Sequence, residues 1–314
     1  MKIEDFSISQ KTYSNNTVFT LKADKQIKFY CPLLTEVGEM GGNKYVNLLT
    51  AILDKENIGI IYQLKIKIKG NQPSLVKISQ LINKRSLKPP YSRGLTPMTS
   101  FINPQNNNIN VIVALWCKSN TNLRYKIDSG YLCLSEKKLI VRNVFFDGMS
   151  DDDKMIRSIS KVLVINQNIH VWFALSKNQD TFINPNGNIV QEYDYYKGVI
   201  RPIDNNMFEV SKINICKGVK EQFTDSVGVG RSEIIYDNQK GIFIGFFSIR
   251  KASGYYPLVI LESLDGIIWS KSSLKKFPDY LTNFIFISKF KNFWTGNTEI
   301  SGNSKLEIIC DSCS

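Results

Sequence analysis

Short apolar runs separated by polar turns recur along the whole chain. In the clearest example, apolar runs at 242–249 and 255–261 are separated by a Gly/Ser break and followed by Asp265-Gly266. β-Branched and aromatic residues in such runs favour strands. An Asp-Gly pair favours a tight turn, because glycine adopts positive φ at no steric cost. The pattern predicts three strands of an antiparallel meander.

The same order of turn, strand, polar turn and aromatic-rich strand occurs five times. Successive openings are roughly 50 to 60 residues apart, a period that is typical of propellers and arrays. No segment shows the apolar i, i+3, i+4, i+7 pattern of an amphipathic helix, which argues against α/β and TIM-barrel folds. We therefore predict an all-β fold, a single five-bladed β-propeller of four-stranded blades over residues 1–314. The predicted blades span 27–88, 93–147, 151–218, 226–275 and 279–314, with closing or edge strands in 1–26.

Composition indicates a globular, basic protein. Hydrophobic residues make up 43% and charged residues 22%, as in ordered domains. Forty Lys and Arg against 28 Asp and Glu give a formal net charge of +12, which favours anionic partners. The alternative is a basic bias spread over the surface, because no run of five basic residues occurs. In residues 64–69 lysine alternates with apolar residues, which is typical of a half-exposed strand.

The N-terminal residues lack the apolar stretch of a cleaved signal, and no window approaches about 18 apolar residues. We therefore predict a cytoplasmic protein without a membrane span. The six cysteines are interpreted as reduced thiols. Cys310 and Cys313 have C-x-x-C spacing, but a structural zinc site needs a second pair. Neither a cofactor nor a nucleic-acid partner is predicted.

Four short segments, all in the second half of the chain, carry recognisable motifs. They are Gly228-Val229-Gly230-Arg231-Ser232, Ile169-His170-Val171-Trp172-Phe173, Phe293-Trp294-Thr295-Gly296-Asn297, and the S-x-D-G-x-x-W stretch from Ser263 to Trp269. They resemble segments of five-bladed propellers in the arabinanase, levansucrase and invertase clan, and of related propellers encoded beside surface-polysaccharide genes. The resemblance implies a glycosidase-like propeller that acts on or binds a sugar at the mouth of its central channel.

The resemblance also implies three carboxylates, one from each of the first three blades. Glycoside cleavage needs two carboxylates in different environments beside one bond. The acids that we select at blade starts are Glu39, Asp153 and Glu233. The second blade start carries no acid, which departs from the hydrolase pattern. Structural alternatives are a solvated turn for Asp153 and a pairing of Glu233 with Arg231.

Arginines also stand at blade starts. Arg93, Arg157 and Arg231 open blades, and Arg250 ends a strand of the fourth. Converging guanidinium groups suit a carboxylate or phosphate better than a neutral sugar, because they form bidentate bonds. The arginines predict an anionic ligand such as a sugar nucleotide, or a phosphorylated or acidic glycan. The other predicted substrate-binding residues are Tyr255, Asp279, Trp294 and Asn297.

Three hypotheses follow. The first is an enzyme that cleaves or transfers glycosidic or sugar-phosphate bonds. The second is a non-catalytic propeller that binds a glycan or sugar nucleotide in surface-polysaccharide biosynthesis, and the third is a module that binds a partner protein in a glycan pathway. His170 is the only histidine and lies mid-strand, which argues against a histidine-based triad or metal site.

Overall fold

The regular structure of the described residues is β-strand, apart from two single 3-10 turns at Ile3–Asp5 and Lys220–Gln222. No helix among them is long and apolar enough to cross a membrane. The computed structural model describes residues 2–13, 16–23, 28–53, 59–70, 72–82, 94–102, 107, 109–117, 126–134, 138–140, 145–146, 154–177, 181–183, 189–204, 207–253, 256–272, 286–290, 293–300 and 303–311.

Twenty-five strands lie in these ranges. In chain order they are β1 (Phe6–Tyr13), β2 (Asn16–Ala23), β3 (Lys28–Met40), β4 (Asn43–Leu53), β5 (Gly59–Lys69), β6 (Gln72–Gln80), β7 (Leu95–Ile102), β8 (Ile109–Cys117), β9 (Lys126–Cys133), β10 (Lys138–Ile140), β11 (Phe145–Phe146), β12 (Lys154–Ile165), β13 (Asn168–Lys177), β14 (Thr181–Ile183), β15 (Ile189–Gln191), β16 (Asp194–Asp204), β17 (Met207–Ile215), β18 (Ser226–Val229), β19 (Glu233–Asp237), β20 (Ile242–Lys251), β21 (Leu258–Ser263), β22 (Ser270–Lys271), β23 (Phe286–Phe290), β24 (Phe293–Ile300) and β25 (Asn303–Asp311).

The chain divides into two compact units. The first comprises Met1–Pro97, Val113–Tyr125 and Ile285–Ser314, and the second comprises Met98–Ile112 and Lys126–Phe284. The assignment of residues 1–314 to a single domain stays a prediction.

In the first unit, β3 to β6 form an antiparallel sheet in chain order. Its first hairpin turns at Gly41-Gly42, between the paired residues Met40 and Asn43. Both glycines have positive φ, 58° and 71°, as a two-residue type I′ turn requires. The glycine cluster in the sequence therefore sets the register of this sheet.

A second sheet of this unit combines the two ends of the chain, in the order β1-β2-β25-β24-β23. Strand β2 pairs antiparallel with β25, and Leu21 lies opposite Leu306. The buried apolar residues of the two sheets form one core, and each large side chain buried there contributes about 1.5 to 3 kcal/mol. The core residues are Phe19, Leu21, Phe29, Leu34, Val46, Leu48, Ile52, Leu64, Ile66, Ile68, Phe293, Leu306 and Ile308.

Two sheets of the second unit position the candidate site. One has the order β11-β17-β16-β13-β12. In the other, β18 and β19 both pair with β20, which is followed by β21 and β22. Between β18 and β19 the backbone leaves the ladder at 230–232, although the Gly230 N–H still donates to the Ser248 carbonyl at 2.7 Å. An interrupted strand therefore carries Arg231 and Glu233.

Aromatic side chains dominate the core of the second unit. The Trp172, Phe247 and Trp269 side chains are buried, and Phe247 packs edge-on against Trp269 with ring centroids 4.8 Å apart. The core residues are Trp172, Ala174, Tyr193, Tyr195, Cys216, Val219, Val229, Ile234, Phe243, Phe247, Ile249, Leu261 and Trp269.

The all-β propeller class that the sequence predicts is confirmed. A further four-stranded sheet has the order β10-β9-β8-β7, and β14 pairs with β15 alone. Four sheets of four or five strands are each built from one stretch of the described chain, so the prediction of five such repeats is wrong. The last predicted repeat supplies only β23 to β25, and its sheet is completed by β1 and β2.

Candidate functional site

Three consecutive polar residues that lead into β19 are buried. Arg231 is 3% exposed, Ser232 0% and Glu233 2%. Arg and Glu side chains are almost never buried to this extent unless they are paired. This segment is therefore the strongest candidate for a functional site in the second unit.

Glu233 forms an ion pair with Lys161 of β12, 72 residues earlier in the chain. The Lys161 Nζ donates to Glu233 Oε1, and the two side chains are 15% and 3% exposed. Pairing offsets the cost of moving both charges out of water. As an ion-paired carboxylate, Glu233 accepts hydrogen bonds but does not donate them. That state suits a nucleophile, a base or a group that binds sugar hydroxyls.

A β-bulge positions Lys161. Ile159 lies opposite Phe173, and Lys161 lies opposite Trp172, so Ser160 is the extra residue between them. Without the bulge, Ser160 would lie opposite Trp172. Since successive side chains of a strand point to opposite faces, the extra residue changes the face to which Lys161 points.

Tyr195 supports the same segment from β16. Its hydroxyl is hydrogen-bonded to the Ser232 Oγ, and its ring packs edge-on against Phe247 at 5.6 Å between centroids. Burial raises the pKa of Tyr195 far above its ordinary value. The phenol therefore stays protonated and fixes the backbone between Arg231 and Glu233 as a neutral group.

Arg250 lies further along β20, in an aromatic cluster. Its Nη1 donates to the Tyr193 hydroxyl at 3.3 Å, and its guanidinium lies 5.6 Å from the centre of that ring. Gly228 is opposite Arg250, whereas Glu233 is opposite Phe246. Phe246 and Arg250 are four residues apart along β20, which corresponds to about 13 Å. The backbone positions of Arg250 and Glu233 are therefore well separated.

Tyr256 completes this aromatic cluster. Burial raises the pKa of Tyr256 to about 12, the neighbouring Tyr193 adds to the rise, and Arg250 opposes it through its charge and a hydrogen bond. The guanidinium of Arg250 is thus held by two tyrosines.

Two predicted site residues belong to the first unit. Glu39 is exposed near the end of β3, opposite Lys44. Trp294 of β24 is 5% exposed, and the Lys289 Nζ lies 4.4 Å from the centre of its ring. The buried indole packs in its sheet and serves as a platform for that lysine.

The other predicted site residues are described only in part or not at all. The backbone of Arg157 lies in β12 and that of Asn297 in β24, opposite Phe286. The residues that lie outside the described part of the chain are Arg93, Asp153, Tyr255 and Asp279.

The structure brings Lys161 of β12 into contact with Glu233, beside Arg231 in sequence, and Lys161 was not among the predicted site residues. Lys161 stands between Ser160 and the apolar run 162–165, and nothing in this local sequence distinguishes it from other strand lysines. The ammonium group of Lys161 is an ion-pair partner of Glu233, and the pairing of Glu233 with Arg231 stays a prediction.

The Asp265-Gly266 turn is structural. The Asp265 Oδ1 accepts hydrogen bonds from the backbone N–H groups of Ile267 and Ile268 at 2.7 and 2.9 Å. The Gly266 carbonyl accepts one from the Trp172 indole at 2.8 Å. Among the described residues, no group of three His, Cys, Asp or Glu side chains is placed to hold a metal ion.

Solved structures share this fold at low sequence identity. A family 117 glycoside hydrolase from the marine bacterium Zobellia galactanivorans has a TM-score of 0.54 and 10% identity, with 98% of this chain and 90% of that chain covered. A levansucrase variant from B. megaterium has a TM-score of 0.53 and 9% identity, with coverage of 93% and 82%. No protein-family model matches the sequence, and no curated protein matches it. The chain is thus similar to glycosidase-like propellers in fold.

Proposed function

We propose that the chain is a carbohydrate-active, glycosidase-like propeller that acts on or binds an anionic sugar. The observation that carries this proposal is the buried segment of Arg231 and Glu233 with Lys161 as ion-pair partner. Arg and Glu side chains are rarely buried to this extent in a protein, which distinguishes this segment from the rest of the described chain. The similarity in fold to a glycoside hydrolase and to levansucrase supports a sugar as the ligand.

The roles follow from the chemistry of each group. Arg231 presents a planar fork that suits a carboxylate or phosphate of the ligand. Lys161 adds a second cation, so that two positive groups accompany one carboxylate. Glu233 accepts hydrogen bonds from sugar hydroxyls, or acts as base or nucleophile if bonds are cleaved. Arg93, Arg157 and Arg250 are proposed as further anion-binding residues, and Glu39 and Asp153 as further carboxylates.

A non-catalytic protein that binds a sugar nucleotide or acidic glycan is the second candidate. The ion pair favours the binding protein, because the Glu233 carboxylate is already paired with Lys161 when no ligand is bound. This protein would serve surface-polysaccharide biosynthesis in the cytoplasm, with or without a partner protein. For the fold, we propose that residues 1–314 form a single propeller domain.

A thermal-shift screen tests the proposal. We expect sugar nucleotides, sugar phosphates or uronic acids to raise the unfolding midpoint, since a ligand that prefers the native state stabilises it. Neutral sugars should have little effect. The proposal fails if no anionic sugar raises the midpoint.

A matched pair of variants locates the site. Arg231→Gln should abolish the shift, whereas Arg201→Gln, which removes an exposed arginine of β16, should retain it. Product formation from the stabilising ligand would indicate the enzyme, and an unchanged ligand the binding protein. Equal shifts in both variants would contradict the assignment of Arg231.

A further inference from the structure

Four lysines share one outward face of the β3–β6 sheet. Lys65, Lys67 and Lys69 occupy alternate positions of β5, between the inward-facing Leu64, Ile66 and Ile68, which are 0%, 1% and 5% exposed. Lys77 of β6 lies opposite Lys65. Since alternate residues of a strand point to the same face, the three β5 lysines form a line with a spacing of about 6.7 Å.

Protection of a sheet edge does not account for the three lysines of β5. Strand β5 pairs with β4 on one side and β6 on the other, so it is an inner strand of its sheet. Lysine protects edge strands from pairing with other chains, but an inner strand has no free edge. The Lys65 and Lys77 pair also places like charges directly opposite each other, which destabilises a sheet.

The described part of the chain does not neutralise this face. None of the four lysines forms an ion pair with a described carboxylate. Glu36 lies two strands from Lys65 and accepts a hydrogen bond from Asn47 at 2.6 Å. The Lys65 Nζ instead lies 4.7 Å from the centre of the Tyr45 ring.

Two acids of the N-terminal turn, which packs against β6, are held by Lys2. Glu4 forms an ion pair with the Lys2 ammonium at 3.2 Å, and Asp5 accepts from the Lys2 backbone N–H at 2.8 Å. The outward face with the four lysines therefore keeps an excess of positive charge.

We propose that this lysine face, formed by Lys65, Lys67, Lys69 and Lys77, binds a linear acidic polysaccharide. The proposal rests on the proposed function of the chain as a carbohydrate-active protein. A row of three cations about 13 Å long matches an extended chain with repeated negative groups better than one small anion. Bound carboxylates would also relieve the repulsion between Lys65 and Lys77.

Two other polyanions fit this face less well. Single-stranded nucleic acids bind through aromatic platforms, but the Tyr45 ring is covered by Lys65. Membrane surfaces are bound by basic segments together with several inserted apolar side chains. In this sheet the exposed large apolar residues are Met40, 74% exposed at the tip of the hairpin, and Val76, 40% exposed next to Lys77.

Binding of the full chain to immobilised polygalacturonate tests the proposal, with neutral dextran as the blank. The variant Lys65→Gln/Lys67→Gln/Lys69→Gln should bind at least about tenfold more weakly, and added salt should weaken binding of the native chain. The matched control Lys212→Gln/Lys217→Gln/Lys240→Gln removes the same charge from exposed positions of the second unit. It should change binding less than about twofold.

Three outcomes would overturn the proposal: no binding to polygalacturonate, equal weakening in both variants, or preferential binding to an oligonucleotide or to phosphatidylserine vesicles. Because lysines keep charge when replaced by arginine, Lys65→Arg/Lys67→Arg/Lys69→Arg should restore binding. An unfolding midpoint in the glutamine variant that is no lower than that of the native chain excludes a folding defect.

The two proposals fail separately. Arg231→Gln should leave retention on polygalacturonate unchanged, and the β5 triple variant should leave the thermal shift by small acidic sugars unchanged. Loss of both readouts in either variant would contradict the assignment of two distinct sites.

Discussion

The ring of Tyr193 lies 2.5 Å from the point where Gly228 would carry a Cβ atom. Gly230 has a similar relationship with Tyr256, whose ring would lie 3.3 Å from its Cβ. The two glycines of the G-x-G segment therefore leave room for the two tyrosine rings that contact Arg250. The predicted blade-start motif has a packing role on this side of Arg231.

Replacing Gly228 should destabilise the protein. Gly228→Ala forces the Tyr193 ring or the β18 backbone to move, and such overpacking costs about 1 to 3 kcal/mol. The measurement is the free energy of unfolding from urea denaturation. Gly38→Ala is the control, because nothing lies within 4 Å of its Cβ. Equal stabilities of the two variants would contradict the close approach.

Much of the fold could be predicted from local patterns. The Asp265-Gly266 turn and the Gly41-Gly42 hairpin depend on residues adjacent in the chain, and glycine identifies both. The closing sheet was harder to predict, because Leu21 and Leu306 come from opposite ends of the sequence. No local pattern determines which distant strands pair.

The candidate site could be predicted only in part. The buried segment with Arg231 and Glu233 was identified from its place after a glycine-rich turn. Lys161 was missed for two reasons. Its contact with Glu233 joins strands 72 residues apart, and the bulge at Ser160 shifts its register by one residue. A bulge leaves little trace in the hydrophobic pattern.

The ion pair between Lys161 and Glu233 should show strong energetic coupling. Lys161→Met or Glu233→Gln alone leaves a buried charge without its partner, which typically costs about 3 to 5 kcal/mol. The double variant should lose much less than the sum of the two. Unfolding free energies of the four proteins in a double-mutant cycle give the coupling.

The exposed pair of Lys2 and Glu4 is the control for this cycle. Its side chains are 78% and 73% exposed, and surface pairs contribute little. Additive effects of Lys161→Met and Glu233→Gln, as for the surface pair, would show that the buried pair does not stabilise the fold.

His170 should make the protein less stable as the pH falls below neutrality. Burial, together with the nearby charge of Lys197, lowers the pKa of His170 to about 4. An unfolded histidine has a pKa of about 6.5. Between these values the unfolded chain takes up a proton that the folded chain does not, so the free energy of unfolding decreases towards pH 4.

Unfolding midpoints of the native chain and His170→Gln, measured from pH 7.5 to 4.5, check this expectation. Since the chain has a single histidine, the variant should lose less stability over this range. Parallel curves for the two proteins would show that His170 is not responsible.

The carboxylate of Asp265 should stabilise its turn and hold Trp172. Burial alone would raise the pKa of Asp265, but the backbone N–H groups of Ile268 and Ile267 outweigh it and lower the pKa. The stabilisation is therefore present above the unfolded pKa of about 3.9 and is lost as the pH falls through the lower folded value. Asp265→Ala should cost about 1 to 2 kcal/mol at neutral pH.

Hydrogen exchange of the Trp172 indole proton, followed by NMR, tests whether the Asp265 carboxylate keeps the turn in contact with the indole. Asp265→Ala should accelerate the exchange, because the indole donates to the Gly266 carbonyl in the same turn. The control Asp237→Ala also removes an oxygen that accepts two backbone N–H bonds, from Gln239 and Lys240. Its turn is exposed and does not bond to Trp172, so exchange should be unchanged. If Asp265→Ala left the exchange rate at the native value, the carboxylate would not be what holds the turn against the indole.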